Sequence, residues 1–203
     1  VDTLFDLKLT AAMLEEMRRA VPAAARIGTV VNTHANGDHT FGNELVRDAR
    51  IIASEGTMAE FDHLTPQALH GIMQNAGQMG PAGAFIAELF SPFDFEGITL
   101  TYPDETFSGE TEVRVGDKRA RLIEVGPAHR RGDTLVHLPE ERVVYTGDIL
   151  FVEGTPIAWA GPVSHWIAAL DRILAMDVEV VVPGHGPDTD KDGVRAMRGY
   201  LDY

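Results

Sequence analysis

The sequence predicts an α/β domain whose functional groups gather at the carboxyl ends of sheet strands. Three observations carry this prediction. Between residues 26 and 54, strand, loop, helix and strand patterns follow one another as "RIGTVVN", "THANGDHT", "FGNELVRD" and "RIIAS". Each dense polar cluster of the chain stands directly after an apolar, strand-like run. An amphipathic helix over residues 162–177 leads into a last apolar run, "VEVVV", that ends in the glycine-flanked histidine of "PGHGP".

Taken in order, "VDTLFD" reads as a strand end running into a turn. A helix follows over "LTAAMLEEMRRAV", with Thr10 as N-cap and Met13, Leu14, Met17 and Val21 on one face. "RIGTVVN" is a short buried strand, "FGNELVRD" a short helix and "RIIAS" the next strand. Residues 55–93 are rich in Met, Ala, Gly and Phe and are punctuated by Pro66, Pro81 and Pro92, which suits two or three short helices. From Gly97 the texture turns to strands: "GITLTY", "TEVRVG", "RARLIEVG", "DTLVHLP" and "RVVYTGD", separated by turns such as "VGDKRA" and "PEER". In the helix over 162–177, Val163, Trp166, Ile167, Leu170, Ile173 and Leu174 form one stripe. No repeat, low-complexity tract or linker interrupts the chain, so one domain over residues 1–203 is expected.

Bulk composition narrows the function. The 203 residues are 44% hydrophobic, enough for a sizeable core. A formal net charge of −14 repels nucleic-acid phosphates and anionic membrane surfaces, so neither is an expected partner, and a small-molecule substrate is. The absence of cysteine excludes disulfides, thiolate nucleophiles, iron–sulfur clusters and cysteine-bearing zinc sites, so any metal must be held by nitrogen and oxygen. No apolar run reaches the ~18–20 residues of a membrane-spanning helix, and no signal-peptide pattern opens the chain. The chain reads as soluble, with a cytoplasmic location expected.

Four strand ends carry metal-ligand chemistry. "TVVNT" delivers His34, Asp38 and His39, "LIEVGPA" delivers His129, "VVYTG" delivers Asp148, and "VVVPG" delivers His185. Strand ends are rigid, and short glycine-containing loops let side chains from several strands converge on one point. Imidazoles and carboxylates in such a cluster suit zinc, iron or manganese. Singly, each is matched by an ordinary reading: a solvated histidine, a turn aspartate, a tight Gly-His-Gly turn. Their succession at corresponding structural places is what points to a site.

In order, spacing and flanking glycines, "HANGDH" (34–39), "GPAHRRGDT" (126–134), "YTGD" (145–148) and "PGHG" (183–186) resemble the motifs of the metallo-β-lactamase superfamily. The resemblance implies an αββα sandwich, two mixed sheets with helices outside and metals at one edge. It implies one metal pocket of His34, His129 and the position of Asn36, a second of Asp38, His39 and His185, and Asp148 bridging them. It also implies that Gly132, Asp133 and Thr134 support the site rather than ligate.

Three departures qualify this expectation. Asn36 stands where the family usually has a histidine; its amide nitrogen offers no lone pair and its oxygen is a weak donor, so the site should be asymmetric. Asp148 replaces the cysteine common in zinc β-lactamases, which resembles the lactonase, thioesterase and phosphodiesterase-like branches instead. The family's strands before "VDT" are missing, so truncation at the N-terminus, or a small first sheet whose exposed edge is covered by homo-oligomerisation, is expected.

The functional expectation is a metallo-hydrolase of a small ester, lactone, thioester or related bond, with one or two zinc ions and with iron or manganese as alternatives. A cation held by three or four protein ligands keeps an open position for water and lowers its pKa towards ~7. Asp38 and Asp148 are the expected catalytic carboxylates. Arg130 and Arg131 are candidate clamps for an anionic substrate group, against the ordinary reading of solvated surface arginines. His165, opening the long helix, is a further candidate contact. Met58, Met73, Met79, Phe85, Phe90 and Phe93 are candidates for an apolar lid, against a plain core role. His63 and His70 are expected to be exposed, and His137 packed within its strand. Two other functions compete: an iron-dependent oxygen enzyme on the same fold, and a non-catalytic binding domain with a decayed site.

Overall fold

The computed structural model describes residues 1–203. Its first helix, α1 (Leu7–Ala20), starts three residues before the expected cap, because Asp6 and not Thr10 caps it: Asp6 Oδ1 accepts from the Leu9 N–H at 2.7 Å. Thr10 is buried inside the helix, and its Oγ1 accepts from the Leu4 N–H at 3.1 Å, tying the incoming chain to α1.

Two sheets follow. The first holds β1 (Thr29–Val31), β2 (Arg50–Ser54) and β3 (Glu105–Phe107), all parallel and in that order. The second holds β4 (Glu110–Val115), β5 (Lys118–Glu124), β6 (Thr134–Leu138), β7 (Val143–Tyr145) and β8 (Val180–Val182). It is antiparallel until β8, which joins β7 in parallel.

The alternation of side chains along each strand builds the layers. Val31, Ile52 and Phe107 of the first sheet pack on Val113, Leu122 and Val136 of the second. One residue earlier, Val30 and Ile51 face the other way, onto Leu14 of α1. On the far side of the second sheet, Ile123, Leu135, Val144 and Val181 meet Trp166, Leu170 and Ile173 of α6 (Val163–Ala175) and Val194 and Met197 of α7 (Lys191–Leu201). The order of layers is helix, sheet, sheet, helix, an αββα sandwich of two sheets flanked by helices.

Between β2 and β3 lie α3 (Glu55–Met58), α4 (Pro66–Asn75) and α5 (Gly80–Phe90), within the expected number of short helices. "FGNELVRD" forms a 3-10 turn over Phe41–Val46 rather than an α-helix. "GITLTY" is not a strand: Ile98 is buried with Phe41, Leu69 and Phe95, and its carbonyl accepts from Gln67 Nε2. Its apolar residues thus serve a phenylalanine-rich cluster beside α4. The strand is displaced to "ETF", beyond Pro103, which has no N–H for a ladder.

The loops after β1, β5, β7 and β8 meet at one edge of the sandwich. Backbone bonds lock them together: Thr134 N–H to the Thr33 carbonyl at 2.9 Å, and Gly184 N–H to the Gly147 carbonyl at 2.8 Å. No helix is long and apolar enough to cross a membrane.

Candidate metal centre

His34, Asp38 and His39 leave the β1 loop, with Asp38 and His39 on the single-turn helix α2 (Gly37–Thr40). His129 comes from the loop after β5, Asp148 from a 3-10 turn after β7, and His185 from the loop after β8. His34, His39, His129 and Asp148 are buried. The loops pass closely enough that a methyl group on Gly184 would overlap Asp148 Oδ1, so only glycine fits there.

Hydrogen bonds fix the tautomer of three imidazoles. Asp2 Oδ2 accepts at 3.1 Å from His39 Nδ1, which must therefore carry the proton. The Ile157 carbonyl accepts from His129 Nδ1 at 2.6 Å, with the same consequence. Thr33 Oγ1 donates to Asp2 Oδ2 at 2.8 Å, so it accepts from His34 Nδ1 at 3.0 Å. His34 and His129 thus turn an Nε2 lone pair towards Asp148, and His39 turns there an Nε2 that can ligate once a cation displaces the proton favoured by Asp148 and Asp38. The buried atoms His34 Nε2, His39 Nε2 and Asp148 Oδ1 have no hydrogen-bond partner, an arrangement that costs stability unless something else occupies the point they face.

Donor spacing shows what fits. His39 Nε2 lies 3.5 Å from Asp38 Oδ2 and 3.2 Å from Asp148 Oδ1; His185 Nε2 lies 3.2 Å from Asp38 Oδ2 and 3.4 Å from Asp148 Oδ2. Zinc with bonds of about 2.0–2.1 Å in tetrahedral geometry has ligand–ligand edges of roughly 3.3 Å. These four contacts match such edges, with His39 and His185 facing different oxygens of Asp148. Two triads each bring one donor atom per residue within 4.8 Å of one another and could hold a metal ion, His34–His39–Asp148 and Asp38–His39–His185. They share the one free nitrogen of His39.

Electrostatics agree. Burial opposes ionisation of Asp148 and Asp38, but the charge of His39 overrides it and holds both carboxyls well below the usual range. Hydrogen bonds that His185 donates to Asp148 and Asp38 push it up to about 9, and the same carboxylates raise His39 despite its burial. Burial pushes His34 down to about 3 and lowers His129, leaving both neutral and ready to ligate. Paired carboxylates that draw positive charge onto two histidines would draw a cation in the same way.

The position of Asn36 differs from a ligand's. Its Oδ1 accepts from Arg130 Nε–H, which fixes the amide's orientation, and its Nδ2 faces His129 Nε2 at 3.3 Å. Arg130 lines the adjoining cavity; Arg131 and His165 are exposed and do not. Of the suggested lid residues only Phe90 and Phe93 reach the cavity, while Met73 packs under the phenylalanine cluster and Phe85 is 65% exposed. His63, expected to be merely exposed, is exposed at the cavity rim. The cavity, about 1060 Å³, has an apolar wall of Phe5, Leu9, Leu64, Leu89, Phe90 and Trp159.

Asp2, Thr33 and Ile157 escaped the sequence reading. Asp2 had a signal, an acidic residue in the "VDT" segment, but nothing local ties it to a histidine 37 positions away.

The family model described as metallo-beta-lactamase superfamily matches residues 1–185. Among curated proteins, the chain is 29% identical over 167 residues to "2,4-dinitroanisole O-demethylase subunit alpha" of Nocardioides sp., covering 78% of this chain and 40% of that protein. It is 26% identical over 157 residues to "Hydroxyacylglutathione hydrolase" of Methylococcus capsulatus, covering 77% and 47%. The chain thus spans less than half the length of these relatives. A metallo-β-lactamase structure from Pontibacter korlensis superposes with a TM-score of 0.71 at 19% identity, over 100% of this chain and 80% of that one, a likeness of fold alone. With the αββα sandwich, the ordered motifs and the matched family model together, this chain belongs to the metallo-β-lactamase superfamily.

Proposed function

We propose that the chain is a metal-dependent hydrolase of small ester, thioester or lactone substrates with an apolar acyl or aryl part. The observation that carries this reading is a cluster of imidazole and carboxylate donors, three of their atoms buried and unpartnered and several pairs spaced as zinc edges, opening on a large apolar-walled cavity. A bound cation supplies Lewis acidity and a water of lowered pKa. Asp38, His39, Asp148 and His185 would hold it.

The protein's own groups do the rest. Asp38 Oδ2 faces His39 and His185, which leaves Oδ1 to orient the attacking water and take its proton. Asp2 and the Ile157 carbonyl prevent ring rotation of His39 and His129. The apolar wall excludes solvent and seats the substrate body. The hydrolase name of the Methylococcus relative supports the same class of reaction.

The test is zinc-, iron- or manganese-loaded protein against a panel of p-nitrophenyl esters, acyl thioesters and lactones, with Asp38→Asn as control. Removal of the general base should lower kcat by about 10²-fold or more. No hydrolysis with any metal, or turnover that survives Asp38→Asn, contradicts the proposal; oxygen uptake by the iron form without hydrolysis would favour the oxygenase reading.

A further inference from the structure

The half of the centre around His34 and His129 does not match the other half. His34 Nε2 and His129 Nε2 lie 3.7 and 3.3 Å from Asp148 Oδ2, but no third nitrogen completes the set. Because His129 Nδ1–H is committed to the Ile157 carbonyl, the Asn36 amide at 3.3 Å donates into the Nε2 lone pair that a cation would need. The Asn36 oxygen, the remaining donor, is already occupied by Arg130. Hydrogen bonds have taken this pocket over.

Arg130 is held there from three sides. Its backbone N–H donates to buried Asp133 Oδ2 at 2.8 Å, its Nε–H to Asn36, and its guanidinium carbon lies 4.9 Å from the centre of the Trp159 ring. The Trp159 backbone is itself tied down, its main-chain N–H donating to the His129 carbonyl at 3.0 Å. Arg119, Arg121 and Arg142 at the surface are paired with carboxylates; no carboxylate pairs with Arg130, although the protein carries a net charge of −14. With Nε committed to Asn36, the Nη1/Nη2 edge remains, the edge that binds a planar oxyanion through two parallel hydrogen bonds. Arg130 lines the cavity together with His129 and Asp148, beside the apolar wall.

We propose that the Asn36–Arg130 pair stands in for a second cation, and that its guanidinium binds a carboxylate carried close to the reacting carbon of an otherwise apolar substrate. The preferred substrates are then anionic apolar acyl or aryl compounds, and one metal ion suffices. The idea rests on the hydrolase reading for that single ion, but the binding it predicts needs no turnover.

The experiment uses zinc-loaded, desalted wild type, Arg130→Gln, Arg130→Lys and Asn36→His, checked for folding by circular dichroism. Zinc is counted by elemental mass spectrometry, and 4-phenylbutyrate and 4-phenylbutan-1-ol are titrated calorimetrically as a carboxylate probe and its neutral counterpart. Wild type and Arg130→Gln should hold one zinc and Asn36→His two. A charged hydrogen-bonded pair predicts that wild type prefers the carboxylate by about tenfold or more, that Arg130→Gln loses the preference, and that Arg130→Lys regains part of it. Two zinc ions in wild type overturn the proposal. So does a carboxylate preference that persists in Arg130→Gln, which would place the carboxylate on the metal. Ester hydrolysis with no preference for carboxylate-bearing over neutral substrates, and no Arg130 dependence for either, refutes this inference alone. Arg130-dependent carboxylate binding with no hydrolysis of any ester refutes the hydrolase reading alone.

Discussion

Replacing Asp2 by Asn should weaken zinc binding without touching a ligand. Asp2 accepts three hydrogen bonds: from Thr33 N–H at 2.7 Å, Thr33 Oγ1 at 2.8 Å and His39 Nδ1 at 3.1 Å. An Asn side chain can keep its oxygen towards the Thr33 N–H. Its NH₂ then confronts both the threonine hydroxyl and the His39 N–H, donors against donors. His39 escapes by moving its proton to Nε2, where it blocks the metal; Thr33 escapes by turning its hydroxyl, which removes the acceptor of His34 Nδ1. One substitution therefore disturbs two of the three ring tautomers. Loss of such outer partners of metal-bound histidine costs about 10- to 100-fold in affinity, roughly 1.4–2.7 kcal/mol. Competition with a chromophoric zinc chelator measures it directly. Affinity within about twofold of wild type would refute the tautomer reasoning, since even the low end of that range is tenfold.

Other consequences are open to simpler measurements. In chelated protein, His185 is raised to about 9 from 6.5, so its contribution to stability is fully present below about 6.5 and lost as pH rises through 9. The lead of wild type over His185→Ala in urea midpoint should shrink across that window, and a lead that grows with pH contradicts the pairing with Asp148 and Asp38. Zinc must displace the His185 proton, so zinc affinity should rise with pH up to about 9, with protons released on binding; calorimetry in buffers of different ionisation enthalpy reads both. Gly184→Ala would press a methyl group onto Asp148 Oδ1 and should lower zinc affinity by at least about tenfold with little change in secondary structure; unchanged affinity would show that the loop yields.

The layers of the fold were readable because they follow periodicity. The two-residue repeat in "RIIAS" and "RARLIEV" sends Ile52 and Leu122 inward between the sheets and Ile51 and Ile123 outward to the helices. "GITLTY" was misread because apolar alternation reports burial, and burial beside α4 needs no ladder partner. The cap of α1 was misplaced because Asp6 and Thr10 are both good caps, and only the packing of Thr10 against the chain at Leu4 separates them. The conjunction of His34, Asp38, His39, His129, Asp148 and His185 was legible from strand ends. The placement of Arg130 against Asn36, 94 residues away, was not, since a cavity-facing arginine and a solvated one look alike in sequence. Arg131 and His165 illustrate the other side of that ambiguity.

The most direct test of the metal centre is anomalous diffraction at the zinc edge from crystals of zinc-loaded protein. The donor geometry predicts a single strong peak about 2.0–2.2 Å from His39 Nε2, His185 Nε2 and carboxylate oxygens of Asp38 and Asp148. No peak among these four residues, or one held by other side chains, would contradict it.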